Sequence, residues 1–273
     1  MVRSLPASGA VIAITGAGRG IGRGLAQAFA RDGARGVVLS DIDAEACAEA
    51  AAALRDEGLD AIAMRADITQ ADDCAALVAC AVKAYGRLDV MVCNAGIAQL
   101  RPLLELSGDD WDRMLGVNVK GSFLTLQAAA RQMLGQAPPA PGRPQGKILT
   151  MASIAGRSGA GPIAAVIAHY RASKAALISL TQSAAFALAP KITVNAICPG
   201  LVETEMWARM DRDWTALQGL PTGQAWQQRV AAVPMGRPQQ PADVAGLALY
   251  LASPASDYMT GQSINIDGGL MMS

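Results

Sequence analysis

Ala10-Val11-Ile12-Ala13-Ile14 runs straight into Thr15-Gly16-Ala17-Gly18-Arg19-Gly20-Ile21-Gly22, and the reading of this join decides the fold. Its first five residues are an unbroken apolar run of strand length, the pattern of a strand buried on both faces. Ile21, Leu25, Ala28 and Phe29 then recur at helical spacing up to residue 31. Between them the glycines let a pyrophosphate approach the backbone amides, and the N-terminus of the helix adds positive partial charge. The spacing G-x-G-x-x-G is not met, because Ile21 stands at its third position. The spacing G-x-x-x-G-x-G is met, through Gly16, Gly20 and Gly22. Tight strand-to-helix turns use such glycines without any ligand, so the position after a strand and the acidic Asp41 about 20 residues on carry the weight.

Outward from the join, short β-rich runs keep alternating with longer amphipathic ones. Strands are expected over 10–14, 36–40, 61–65, 88–93, 147–151, 192–197 and 262–266. Helices are expected over 21–31, 43–57, roughly 110–134 as one long helix, and 170–188, with another starting at Pro241, a residue suited to a first helical turn. Thr69-Gln70-Ala71-Asp72 resembles a capping box opening one more helix. The Pro-rich patch 136–144 reads as an exposed loop between elements, and no solenoid repeat is present. Strands alternating with helices mean βαβ units. The expectation is therefore α/β: one Rossmann-like domain over 1–273, a doubly wound seven-stranded parallel sheet flanked by helices on both faces.

Composition agrees and narrows the function. The chain has 273 residues, and its 23 basic and 23 acidic side chains cancel. Without a basic cluster it lacks the electrostatic footprint of a nucleic-acid binder. At 52% hydrophobic and 17% charged, it can bury a large core, built from aliphatic residues because aromatics are only 4%. Cys47, Cys74, Cys80, Cys93 and Cys198 are scattered, with no Cys-x-x-Cys pair, and read as buried thiols of a reducing compartment. No His/Asp/Glu group has metal-ligand spacing, so no metal is expected. No apolar run is long enough to span a membrane, and the first 14 residues run into the glycine turn without a cleavage-site spacer. A cytoplasmic protein acting on a small molecule is expected.

Asp41, at the end of the second strand, can accept both ribose hydroxyls of an adenosine and would repel a 2′-phosphate, which favours NAD over NADP. Two features compete with this reading. Asp41 could simply cap the following helix, and Arg19 inside the loop could serve a phosphate. No second basic residue stands beside Arg19, and NAD remains the expected cofactor.

The remaining motifs complete the pattern: Asp67-Ile68, Asn94-Ala95-Gly96-Ile97, Asn118, Ser153, Tyr170-Arg171-Ala172-Ser173-Lys174, and Pro199-Gly200 followed by Thr204. In this order, at expected strand ends, the chain resembles the short-chain dehydrogenase/reductase family over nearly its full length. Alcohol oxidation on a nicotinamide needs a base, and free tyrosine, with a pKa near 10, is a poor one at neutral pH. Lys174 lies one helical turn after Tyr170 on the same face. An ammonium about 4 Å away would be worth roughly 4 kcal/mol at an effective dielectric of about 20, or about three pKa units.

The resemblance implies further roles. Lys174 would hold the nicotinamide ribose, Ser153 would bond the substrate oxygen, and Asn118 would hold a water linking Lys174 to solvent. Gly16, Arg19, Gly20, Ile21, Gly22, Asp41, Ile42, Asp67, Ile68, Asn94, Ala95 and Gly96 would line the dinucleotide with Tyr170 and Lys174. Pro199, Gly200, the Val202 backbone and the Thr204 hydroxyl would face its carboxamide. A homotetramer, built partly through the 110–134 and 170–188 helices, is also implied.

Ser153 and Tyr170 are seventeen positions apart, about four more than the family pattern, and Gly159, Gly161 and Pro162 offer a place for the excess to bulge. His169, the one histidine, reads as a helix-start or pocket-lining residue, because consecutive helical side chains diverge by about 100°. The segment 203–235, with Trp207, Trp214 and Trp226, reads as a substrate lid. Within the family, the Leu220-Pro221-Thr222-Gly223 and Val233-Pro234-Met235-Gly236-Arg237 stretches and the Asp267-Gly268-Gly269 ending resemble bacterial sorbitol and related polyol dehydrogenases. Ser153, Glu203, Glu205, Asn94 and Gln99 are the groups expected to bond several hydroxyls. NAD-dependent oxidation of a polyol's secondary alcohol to a ketone follows as the expected reaction. Its rivals are a reductase of a small diketone or hydroxyketone, a 3-oxoacyl thioester reductase, and a cofactor sensor without catalysis.

Overall fold

Strand β1 (Val11–Thr15) is buried along its whole length and is an interior strand, third from one edge of the sheet. The computed structural model describes residues 7–158 and 162–272; the glycines at 159 and 161, expected to host a bulge, lie outside them. The other strands are β2 (Gly36–Asp41), β3 (Ala61–Arg65), β4 (Val90–Cys93), β5 (Gly146–Met151), β6 (Ile192–Pro199) and β7 (Ser263–Ile266). They form one sheet in the order β3-β2-β1-β4-β5-β6-β7, every pairing parallel. The crossover direction reverses between β1 and β4, so a crevice opens beyond their C-terminal ends, the place where such sheets bind ligands.

Helices cover both faces. On one, Ile12 and Ile14 meet Leu25 and Phe29 of α1 (Gly20–Arg31), Cys47 and Leu54 of α2 (Ala44–Asp56), and residues of the C-terminal helix that Pro241 opens. On the other, Val11 and Ala13 meet Leu77 and Val78 of α3 (Ala71–Tyr85) and residues of two later helices. This alternation along β1 is the pleat at work.

The long helix expected over 110–134 is divided. α4 (Gly108–Leu115) leads into a π turn (Gly116–Gly121) and then α5 (Ser122–Leu134). A π turn shifts the register of everything beyond it and is frequent at functional sites; here it carries Asn118. The capping box expected at Thr69–Asp72 is absent. The Thr69 hydroxyl donates instead to Asp67 (2.8 Å), and the Gln70 side chain caps nothing. A capping box does form at α4, where Ser107 and Asp110 bond each other's backbone amides.

Helix α6 (Ala168–Leu188) precedes β6. The segment expected as a lid folds as α7 (Glu205–Gln218) and α8 (Gln224–Ala231), and α9 (Pro241–Ala252) starts at its proline as expected. The patch 136–144 is a largely exposed loop between α5 and β5. All five cysteines are free, four of them buried. Among the described residues no helix is long and apolar enough to cross a membrane, and no cluster of metal-ligating side chains occurs.

Candidate active site

The glycine turn is built by backbone contact. Gly16 adopts φ +64°, and a β-carbon there would lie 2.8 Å from the Ala95 backbone. At Gly22 an added carbon would collide with the Gly16 carbonyl oxygen, so only hydrogen lets α1 settle on the end of β1. Asn94, at the end of β4, ties the floor: its amide nitrogen donates to the carbonyls of Thr15 (2.9 Å) and Gly16 (3.0 Å). The Thr15 hydroxyl accepts from the backbone N–H of Asn94 and of Ala95, each at 3.1 Å. Helix α1 begins without a side-chain cap and without an acidic residue in its first turn. Its free amides and positive end fit an anionic phosphate, so the residues present suit a dinucleotide.

Asp41 stands at the C-terminal end of β2, one carboxylate oxygen accepting from Gly18 N–H (3.0 Å) and the other from Asp43 N–H (3.1 Å). The cap of α2 is Asp43, which accepts from Ala46 N–H (3.1 Å), so Asp41 is not the capping residue. Arg19 pairs with Asp43 and with Glu205 (3.1 Å). Ile21 packs partly buried on the core behind the turn, while Ile42 is exposed. Asp67 holds the turn after β3 by accepting from Thr69 N–H (2.9 Å), and Ile68 is buried against Gly121 of the π turn.

Across the crevice, Pro199 ends β6 and Gly200 N–H donates to the Gln239 side chain (3.1 Å). Val202 is buried and bridges to Gln239. Thr204 starts α7 with its methyl group beside Gly20, which brings this loop against the glycine turn.

Lys174 is buried, and its ammonium donates to the Met151 carbonyl (2.7 Å) at the end of β5. Ser153, two residues on, opens a short 3-10 turn by accepting from Ala155 N–H (3.1 Å). Gly156 lets that turn lie against the α6 backbone, where a β-carbon would meet the Lys174 carbonyl carbon at 2.6 Å. Tyr170, half-buried, faces this group with its ring centre 5.7 Å from the Lys174 nitrogen. Gly96 lies between Asn118 and Lys174: a carbon there would be 3.1 Å from the Asn118 carbonyl oxygen and 3.5 Å from the Lys174 nitrogen.

Asn118 is fully buried, accepting from Ile97 N–H (2.8 Å) and donating to Ile97 O (3.0 Å) and Ser173 Oγ (2.9 Å). Ser173 in turn donates to Tyr170 O (2.6 Å). The Asn118 side chain is thus spent on clamping two elements together.

The electrostatics reverse the expected sign at the phenol. Burial pushes Tyr170 above its ordinary value, with the Ser153 hydroxyl acting the other way. Burial also lowers Lys174 to about 8. The ammonium is turned toward a carbonyl rather than the phenolic oxygen, so desolvation of the phenolate outweighs its attraction.

Sequence reasoning missed two things. One is the set of backbone acceptors, Met151 and Ile97, which no residue type announces. The other is the apolar cover: Leu100, Ile163, Ile167, Met210, Trp214 and Ala225 form a separate core, with Ala98, Val166, Tyr170 and Trp207 at its rim. The lengthened 153–170 connection supplies Ile163 and Ile167 to it. Most of the expected hydroxyl-binding groups are engaged elsewhere. Glu203 accepts from Gln240 (2.6 Å), Gln99 donates to Asp110 (2.9 Å), Glu205 pairs with Arg19, and Asn94 holds the turn.

A family profile described as "Enoyl-(Acyl carrier protein) reductase" matches residues 16–271. A sorbitol dehydrogenase of Cereibacter sphaeroides is 41% identical over 97% of this chain and 98% of its own length. A diacetyl reductase [(S)-acetoin forming] of Staphylococcus epidermidis is 40% identical over 94% and 97%. The crystal structure of a short-chain type dehydrogenase/reductase from Mycobacterium marinum superposes with TM-score 0.85 at 36% identity, covering 99% of this chain and 98% of that one. The chain belongs to the short-chain dehydrogenase/reductase family. As a member of that family it is an oxidoreductase with a Rossmann-like sheet, and a galactitol 2-dehydrogenase of Agrobacterium fabrum is similar at 40% identity over 96% of the chain.

Proposed function

We propose that the protein is an NAD-dependent oxidoreductase that interconverts a secondary alcohol and a ketone next to a second oxygen-bearing carbon, as in a sorbitol-like polyol or a vicinal diol. The observation that carries this reading is the convergence of Ser153, Tyr170 and Lys174 beyond the ends of β5 and β6, beside the glycine turn. When bound, the dinucleotide would supply the hydride acceptor in its oxidised form and the hydride donor in its reduced form. The chain's own residues do the rest. The Ser153 hydroxyl bonds the substrate oxygen; the Tyr170 phenol gives that oxygen a proton in reduction, and the Tyr170 phenolate takes one from it in oxidation. Asn118 and Ser173 fix Tyr170 through its backbone, and Lys174 supplies a positive charge beneath it. The Asp41 carboxylate favours a free ribose over a 2′-phosphate, and the 203–235 segment serves as the lid.

The compounds in the relatives' names, sorbitol, galactitol and acetoin, all carry oxygens on adjacent carbons. A second, narrower reading has its own observation. The apolar rim at Ala98, Val166 and Trp207, with Glu203, Glu205 and Gln99 already bonded, favours a short diol or hydroxyketone over a hexitol. The homotetramer expectation is supported by Phe123 on α5 and Phe186 on α6, both exposed.

Steady-state turnover of 2,3-butanediol, acetoin, diacetyl, sorbitol and galactitol with NAD(H) and NADP(H) tests these readings. Turnover of at least one with NAD(H) preferred is expected. No turnover of any with either dinucleotide would overturn the proposal.

A further inference from the structure

His169 is the one histidine of the chain and the residue before Tyr170. It is fully buried, and neither ring nitrogen has a hydrogen-bond partner among the described residues. Buried polar groups almost always find partners, so an orphaned imidazole calls for an explanation. Its ring sits edge-on to Trp111 of α4, with centroids 6.3 Å apart. The charged groups that face it are Asp110 and Arg101, which bond each other at 3.0 Å and act on the ring in opposite directions. Asp110 is further held by Ser107 (2.7 Å) and Gln99 (2.9 Å), so α4 presents Trp111 from a fixed base. Helix α6 starts without a side-chain cap. Its first turn is therefore held by the Asn118–Ser173–Tyr170 chain on one side and by the packed imidazole on the other.

We propose that His169 is a positioning residue for Tyr170: the uncharged ring wedged on Trp111 fixes the first turn of α6, and a proton on that ring releases it. An imidazolium carries two donors, and neither ring nitrogen has an acceptor within bonding distance here, so it must shift or draw in water. Burial acts the same way, keeping the ring uncharged below its ordinary value. In folding terms, the stability His169 contributes is complete above about pH 6.5 and is lost as the pH falls through the folded-state value. Neither Tyr170, held above its ordinary value, nor Lys174, at about 8, changes charge in that acid range. The inference rests on Tyr170 being the proton donor.

A single histidine makes the test direct. In the native chain, imidazole NMR signals should stay those of the neutral ring well below pH 6.5. Their midpoint should coincide with an acid-side fall in kcat that leaves KM unchanged. In His169→Phe, which keeps a flat ring against Trp111 but no titratable nitrogen, neutral-pH kcat should stay within about threefold of wild type and the acid limb should disappear. In His169→Ala, kcat should drop about tenfold at every pH with KM steady. An imidazole that titrates at or above 6.5 overturns the proposal, as does an acid limb that survives in His169→Phe. The NMR titration and the fall of Tm with acid need no substrate. Failure of turnover on every vicinal substrate would therefore sink the catalytic reading while leaving the state of His169 separately decided.

Discussion

The glycine turn and the cover over Tyr170 are neighbours held together by different physics. The turn is backbone against backbone. Gly16 touches Ala95, Gly22 touches the Gly16 carbonyl, and Asn94 bonds two main-chain oxygens. The cover is side chain against side chain: Trp207 leans on Trp226 (ring centres 5.3 Å apart), and Ile163, Ile167, Met210 and Trp214 fill the space beneath. Backbone contacts tolerate no added carbon, whereas an apolar cluster accepts many fillings of similar volume. The first region suits a ligand that never changes, and the second suits one that does.

The largest effect should come from the residue where the regions meet. Tyr170→Phe should lower kcat about a thousandfold or more in both directions while dinucleotide binding, followed by fluorescence, stays intact. Survival of turnover would remove the tyrosine from the chemistry, and survival of a biological effect without turnover would mark a sensor.

On the turn side, Gly22→Val should cost about 2 kcal/mol or more through overpacking against the Gly16 carbonyl. Calorimetry should show the lower Tm, and titration should show dinucleotide binding lost. Asp41→Asn should then shift the ratio of kcat/KM for NAD over NADP by about tenfold toward NADP, through loss of a repulsive charge. On the cover side, Trp207→Ala should raise KM for a short diol about tenfold and leave dinucleotide KM alone. A Trp207→Ala change that hit both ligands equally would erase the contrast between the regions.

The smallest effect concerns Lys174. Because burial holds it at about 8, well below the ordinary lysine value, the folded chain binds fewer protons than the unfolded one between about pH 8 and 10. Stability linked to this group therefore rises with pH through that window. Lys174→Met should flatten the rise in a Tm-versus-pH series.

The same contrast explains what the sequence discloses. The alternation of apolar runs and helical stripes predicts seven strands and the helices between them, because both periods are local properties. The turn is legible for the same reason: Gly16, Gly20 and Gly22 follow β1 within eight residues. The interruption of the 110–134 helix at Asn118 has no local signature, since the bonds that hold it run to Ile97 and Ser173. The Thr69 motif failed because the Asp67 carboxylate, two residues away, competes for the hydroxyl. The expected acidification of Tyr170 by Lys174 counted spacing along the helix and left out Met151, a backbone carbonyl on another element that claims the ammonium. Likewise Glu203, Glu205 and Gln99 look available to a polyol until their partners Gln240, Arg19 and Asp110 are seen.

Both ends of the tryptophan-bearing excursion are stitched at one spot: Glu203 N–H donates to Gln239 O (2.8 Å), and Gln239 N–H donates to Leu201 O (2.8 Å). At its far end the buried Asp211 of α7 accepts from Gly223 and Trp226 N–H (2.6 and 2.7 Å), fastening α8 to its neighbour. The excursion is therefore a stirrup: a stiff arch whose two feet are knotted together. An arch closed at its feet takes a new apolar filling without disturbing the strand ends that carry it.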